Sequence, residues 1–126
     1  MSLKYIAVDG CKLEFQAGGN NESISITGTT STKVKADGKA VYKEIKFSIS
    51  GYQGQAITNH DGTGNGSIIA SASKVFVEGN AVILEGDVSA SITINGTTTT
   101  QSGKQDVTAI EIVKVTKAGQ TKVKGS

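Results

Sequence analysis

The chain has 126 residues, enough for one domain with a single core, and it combines 16 glycines with no proline. A disordered linker would normally carry proline as well, so we expect these glycines to lie in turns. Lysine supplies all 13 positive charges, because arginine is absent, and the formal net charge is +2. Since bases and phosphates are usually recognised by the bidentate fork of arginine, the composition argues against a nucleic-acid partner.

Apolar and polar residues alternate with a period of two in several short runs. In chain order these runs lie at 23–26, 44–50, 75–77, 92–94 and 110–115. Each run would present one face to a core and one to solvent, as a half-buried antiparallel strand does. Helical apolar stripes are not evident, so the sequence predicts an all-β fold.

Glycine-containing turn signals separate the predicted strands. They are Ala-Gly-Gly-Asn-Asn at 17–21, Asp-Gly at 37–38, the glycine-rich segment 61–66, Asn-Gly at 95–96 and Ala-Gly at 118–119. Asp-Gly and Asn-Gly favour the tight turns that join antiparallel strands. We therefore predict chain reversals at all five places.

One motif occurs more than once. STKVKADGKAV at 31–41 matches ASKVFVEGNAV at 72–82 in its Lys-Val pair, its acidic residue followed by glycine, and its Ala-Val pair. QTKVKGS at 120–126 repeats the first part of the motif and stops at glycine. A repeated unit buries its apolar face against its neighbours, so the copies should pack together.

These copies predict a single domain, 1–126, with approximate threefold internal repeats. The repeat units lie around 23–50 and 62–95, with a truncated unit around 110–126. The expected fold class is an all-β, small cone- or wedge-shaped domain of short antiparallel strands.

The segment HDGTGNGSIIASASKVFVEGNAVILEGD, 60–87, resembles the core unit of PAAR-repeat proteins. Those proteins cap the spikes of type VI secretion systems and related contractile injection machines. The shortened last copy also resembles the end of that family's chains. The tetrad that names the family would fall at 81–84, where proline and arginine are both replaced, so the resemblance is to a divergent, PAAR-like protein. The positions that match are His60, Gly62, Ser73, Val75, Val77, Gly79, Gly86 and Asp87.

The resemblance implies a non-enzymatic, structural role at the tip of a phage tail or a contractile injection system. Such a protein is a monomer alone, caps a trimeric β-helical spike protein through its base, and helps to pierce the target membrane, which it contacts transiently. An effector or adaptor would be a further partner. No signal peptide is recognisable, so we expect synthesis in the cytoplasm, assembly at the tip of the apparatus and delivery outside the cell.

Two short apolar runs follow the glycines of the first two copies. We predict that they form either core or the base that docks on the spike. They comprise Ala40, Val41 and Tyr42 in the first copy, and Ala81, Val82, Ile83 and Leu84 in the second.

Cys11 and His60 are the only cysteine and histidine in the chain. By resemblance they would hold a structural zinc near the tip, where PAAR proteins use histidines and a cysteine. A closed zinc site needs four ligands, so Asp61 or Asp106 would have to contribute oxygen. No second histidine or cysteine completes such a set, so the sequence favours a buried thiol and a turn histidine without metal, and we expect no cofactor.

A catalytic role has little support in the sequence. No nucleophile elbow or paired-carboxylate motif surrounds the single histidine, so we do not expect an enzyme. The alternative function is a small β-sandwich binding module that recognises a surface protein or a carbohydrate. The scarcity of aromatic residues, three Tyr and three Phe with no Trp, weakens the carbohydrate version of that alternative.

Overall fold

The computed structural model of the chain describes residues 3–18 and 23–126, so most of the turn predicted at 17–21 lies outside the described residues. The predicted all-β fold is confirmed: short antiparallel strands form three small sheets, beside one larger antiparallel sheet. In chain order the strands are β1 (Lys4–Tyr5), β2 (Lys12–Phe15), β3 (Ile24–Ala36), β4 (Lys39–Gly54), β5 (Ile57–Ser67), β6 (Phe76–Val77), β7 (Asn80–Ala81), β8 (Ile92–Thr100), β9 (Gly103–Glu111), β10 (Val113–Lys117) and β11 (Lys124–Gly125).

The larger sheet has five strands in the order β3-β4-β5-β8-β9. Its longest member, β4, has 16 residues and pairs with β3 on one side and β5 on the other. The predicted alternation holds in β4, where Ile45, Phe47 and Ile49 are buried and the residues between them are exposed. The three other sheets pair β1 with β11, β2 with β10, and β6 with β7.

The main core lies against one face of the five-stranded sheet. Inward-facing residues of β4 and β8, such as Phe47 and Ile94, pack there together with Phe15 of β2 and Val113 and Val115 of β10. The two-stranded ribbon β2–β10 therefore covers the apolar face of the sheet, which removes that face from water.

The glycine-rich segment 61–66 was predicted as a turn, but it lies inside strand β5. Its glycines make room for large neighbours across the sheet. A Cβ atom on Gly66 would lie 2.8 Å from Cζ of Phe47, and one on Gly62 would lie 2.9 Å from Cγ2 of Ile94. Asn95 and Gly96, the second turn prediction that is wrong, lie inside β8, where a Cβ on Gly96 would approach Ile57 to 2.7 Å.

A second, smaller core lies around the N-terminal segment. Ile6 and Val8 of that segment pack there with residues of the first two motif copies and with Leu84. The copies contribute Ala36 and Val41 from the first, and Ala72, Val77 and Val82 from the second. The two copies therefore share one apolar cluster, as expected for repeats that bury their faces together.

Both of these copies fold into β-hairpins with the same kind of turn. Asp37-Gly38 joins β3 to β4, and Glu78-Gly79 joins β6 to β7. All four residues have positive φ, at 53° and 76° in the first turn and 49° and 83° in the second. Positive φ at both central positions is the feature of type I′ turns, whose twist matches that of the flanking strands.

Candidate functional site

The first and third copies share a turn at their start. In the first, the hydroxyl oxygen of Ser31 accepts hydrogen bonds from the backbone N–H groups of Lys33 (3.1 Å) and Val34 (2.9 Å). In the third, the side-chain oxygen of Gln120 accepts from Lys122 (2.7 Å) and Val123 (2.8 Å). Different side chains thus stabilise the same local conformation at matching positions.

All three copies also have the same burial pattern over six residues, 31–36, 72–77 and 120–125. The first and last residue of each segment are buried, and the four between them are exposed, apart from a half-buried Val75. Three large apolar side chains are therefore left open to solvent: Val34 at 41% exposure, Phe76 at 58% and Val123 at 37%.

We call the exposed middle of the three copies the repeat surface. It is defined by one lysine and one exposed apolar residue from each copy: Lys33 and Val34, Lys74 and Phe76, and Lys122 and Val123.

Direct contacts join the first copy to the second. The hydroxyl of Ser31 donates a hydrogen bond to the carboxylate of Glu78, which lies in the turn of the second copy. That hydrogen bond is the main reason that the pKa of Glu78 is lowered, with further help from the positive charges of Lys43 and Lys33. Lys43, just after the first copy, also lies 3.9 Å from the same carboxylate.

Contacts of the same kind involve the third copy. The ammonium group of Lys122 lies 3.5 Å from the carboxylate of Asp37, in the turn of the first copy. The backbone N–H of Lys74, in the second copy, donates to the carbonyl oxygen of Ser126 at 3.0 Å. Each copy therefore contacts both of the others.

The N-terminal segment is hydrogen-bonded through its backbone to the first and third copies and to the residue that follows the second. The N–H of Asp9 donates to Ala40 of the first copy at 2.9 Å, and that of Ile6 donates to Val123 of the third at 3.0 Å. The N–H of Ala7 donates to Ile83, the residue directly after the second copy, at 2.8 Å. Since Ile6 and Val8 also pack with apolar residues of the second copy, the segment contacts all three copies.

Charge is unevenly divided between the copies and the rest of the chain. The segments 31–41, 72–82 and 120–126 contain six lysines and two acidic residues, whereas the remainder contains seven lysines and nine acidic residues. The copies therefore carry an excess of four positive charges, although the whole chain carries only two. A surface of this kind attracts negatively charged partners.

Five of the seven predicted docking residues lie in the interior. Val41, Tyr42, Val82, Ile83 and Leu84 are each less than 8% exposed and pack in the two cores. The other two, Ala40 and Ala81, are half-buried. The apolar runs therefore form core, and the structure offers no exposed docking surface built from their side chains, because both runs follow tight turns that direct them back into the protein.

Cys11 and His60 lie in different surroundings. Cys11 is buried in the main core, and burial, aided by the negative charge of Asp9, raises the pKa of its thiol to about 11. His60 is exposed on β5, where it has a φ of 53°, so it belongs to a strand irregularity and not to a turn. The structure does not bring the two into one ligand group, and zinc binding by them stays a prediction.

The two aspartates considered as oxygen ligands line one shallow depression beside β8 and β9. Asp61 already accepts hydrogen bonds from the backbone N–H (2.8 Å) and the hydroxyl of Thr97, and these bonds lower its pKa. Within residues 3–18 and 23–126, no group of three or more His, Cys, Asp or Glu side chains is placed to hold a metal ion.

Asp87, at the end of the segment that resembles the PAAR unit, is a buried anchor for the backbone. Its carboxylate accepts hydrogen bonds from the N–H of Leu84 (2.9 Å) and from the N–H (3.1 Å) and hydroxyl of Ser71. Gly86 precedes it with a φ of 97°, a conformation that favours glycine. The Gly-Asp pair therefore fixes a turn within the second repeat unit.

The repeat surface was not predicted from the sequence as a site. The signal that could have found it is the Lys-Val pair shared by all three copies, since the alignment already placed Lys33, Lys74 and Lys122 at one position. Exposure of Val34 and Val123 could not be inferred, because valine normally indicates core, whereas the alternating run at 75–77 implied that Phe76 faces away from Val75 and Val77.

In the described part of the chain, no helix has the length and apolar character needed to cross a membrane. Comparisons with protein-family models, with curated proteins and with solved structures found no match to this chain.

Proposed function

We propose that the protein is a non-enzymatic tip that caps a trimeric β-helical spike of a contractile injection system or phage tail. The observation that carries the proposal is the meeting of three motif copies around one segment, each copy in contact with both others. A single chain that faces a trimer must offer three similar edges to three identical partners. An approximately threefold arrangement of the copies is part of this proposal.

The copies would form the base that docks on the spike, and the five-stranded sheet would extend away from it. On assembly, the spike and its tip move as one body, so the role of this chain is mechanical and requires no reaction. The far end of the sheet, with the exposed and polar end of the β8–β9 hairpin, would then meet the target membrane first.

A carbohydrate-binding module is less well supported by the positions of the aromatic residues. Sugar recognition usually relies on exposed aromatic faces, and this chain has six aromatic residues. Four of them are buried and Tyr5 is half-buried, which leaves Phe76 alone as an exposed ring. One ring on a short hairpin is a small platform for a sugar.

Electron microscopy of assembled particles tests the proposal. Particles from cells that produce the chain should show an additional small density on the blunt end of the spike, and particles from cells with the gene deleted should lack it. Adding the purified chain to the deletion particles should restore the density. Identical spike ends with and without the chain would contradict the proposed function.

A further inference from the structure

We infer that the repeat surface is the docking surface, and that it takes an acidic, threefold-symmetric protein end. This inference rests on the proposed function and adds to it the residues involved and the chemistry of the partner. It replaces the buried apolar runs as the place of contact.

The positive charges of three lysines support this assignment. Each copy presents one exposed lysine at the same position of the motif, namely Lys33, Lys74 and Lys122. The three lysines lie in the part of the chain that carries the excess positive charge. A partner that supplied one carboxylate from each of three identical chains would meet all three, and such complementarity sets both the register and the rate of association.

Exposed apolar side chains in the same copies also support a docking surface. Of the six large apolar side chains that are well exposed in the described residues, three belong to the copies: Val34, Phe76 and Val123. Phe76 is held on the β6–β7 hairpin, whose backbone is fixed by its pairing with Ala81. Aromatic side chains on rigid elements are common anchors of protein interfaces.

The equivalence of the three lysine positions favours a protein trimer over a lipid surface as the partner. Lysines with neighbouring apolar residues also suit an anionic membrane, but a membrane has no symmetry and gains nothing from three equivalent positions. A partner with three identical edges is favoured by the burial pattern that all three segments share, by the turns that the copies share in pairs, and by the mutual contacts of the copies. We therefore assign the surface to a protein trimer and treat lipid binding as a competing outcome.

Charge-reversal variants test the inference against the trimeric spike protein produced with this chain. The test variant carries Lys33→Glu, Lys74→Glu and Lys122→Glu. The matched control carries the same change of charge on β2, β4 and β9, as Lys12→Glu, Lys46→Glu and Lys104→Glu. We expect the test variant to bind the spike at least about tenfold more weakly than the control, and the binding of the unchanged protein to weaken as salt is raised.

An apolar pair of variants gives a second readout that leaves charge unchanged. Phe76→Ser should weaken binding to the spike by about tenfold, because it removes the exposed ring from the interface. Ile110→Ser is the control, since Ile110 is exposed to a similar degree, 61%, but lies on β9 at the edge of the five-stranded sheet. If the triple glutamate variant fails to fold, two other comparisons still test the docking surface. These are spike binding by the Lys→Gln variant at the same three positions, and spike binding by Phe76→Ser against Ile110→Ser.

The outcomes separate this inference from the function on which it rests. If the unchanged protein binds the spike and both lysine variants bind equally well, the docking surface is wrong but the tip function stands. If the unchanged protein does not bind the trimeric spike, both fail. Vesicles of phosphatidylglycerol mixed with phosphatidylcholine provide the lipid comparison: cosedimentation that the three test substitutions abolish, without spike binding, would overturn the protein trimer as the partner.

Discussion

Buried polar side chains in this protein act as anchors for the backbone or for one another. Ser31 and Gln120 stabilise turns, Asp87 joins the backbone at Leu84 to Ser71, and Glu111 accepts a hydrogen bond from the hydroxyl of Tyr52. Among the described residues, every buried side-chain nitrogen or oxygen has a partner. Removing one member of such a pair should therefore be costly.

The pair Tyr52 and Glu111 allows a direct test. Tyr52→Phe should lower the free energy of unfolding by about 1–3 kcal/mol, because it leaves the buried Glu111 carboxylate without its donor. Tyr5→Phe serves as the control, since Tyr5 is half-buried and its ring, which contacts Lys124, is retained. Urea denaturation measures both. Equal stabilities of the two variants would show that the Tyr52 hydroxyl contributes nothing.

Cys11 makes stability depend on pH in the alkaline range. Burial raises the pKa of its thiol from 9.0 to about 11 in the folded protein, so folding favours the neutral thiol. This contribution is complete below pH 9 and is lost as the pH rises through 11, to a total of about 3 kcal/mol.

Urea unfolding between pH 8 and pH 10 would measure this dependence in the unchanged protein and in Cys11→Ala. The variant should start less stable, because the substitution removes a buried side chain, but should lose less stability as the pH rises. The upper limit matters because Tyr42 and Tyr52 also have raised pKa values and begin to contribute near pH 10. Parallel curves for the two proteins would contradict the assignment.

At the scale of elements, the two hairpins of the repeats depend on left-handed turn residues. Gly79→Ala should lower the free energy of unfolding by about 1–2 kcal/mol, because its φ of 83° brings a Cβ atom close to the following carbonyl. Gly79→Asn should cost less, since asparagine tolerates this conformation. Thermal and urea unfolding would rank the three proteins. No difference between alanine and glycine would mean that the turn relaxes at little cost.

The strands show where sequence interpretation succeeds and where it stops. Alternation located the core of β4 correctly, and Asp37-Gly38 correctly marked a turn. The same glycine signal was wrong at 61–66, because glycine serves there to accommodate the ring of Phe47 and the side chain of Ile94 from neighbouring strands. That reason depends on which strands pair, and pairing between distant segments is not encoded in a local pattern.

Part of the candidate site could likewise be predicted from the sequence, and part could not. Repetition in the sequence predicted that the first two copies pack together, and they share the smaller core. It did not decide whether Val82 and Ile83 form core or a docking base, and the structure buries both and exposes Phe76. Phe76 and Val77 are neighbours on β6, so their side chains face opposite sides of the strand, and Val77 is the one that packs in the smaller core.

The whole molecule is asymmetric in sequence and charge. The three motif copies meet at the N-terminal segment and carry the excess positive charge, whereas the far end of the five-stranded sheet is formed by the exposed, polar end of the β8–β9 hairpin. A protein with two such different ends suits attachment at one end and exposure of the other. The number of partner chains at the attached end is then the property that distinguishes a spike tip from an ordinary binding module.

Native mass spectrometry of the protein, alone and mixed with the trimeric spike protein, counts those chains directly. We expect a monomer alone and a complex of one chain with one spike trimer. The Lys33, Lys74 and Lys122 glutamate variant should remain a monomer and form little of this complex. A stable trimer of the protein itself, or three copies bound to each spike trimer, would contradict the assignment of this protein as a spike tip.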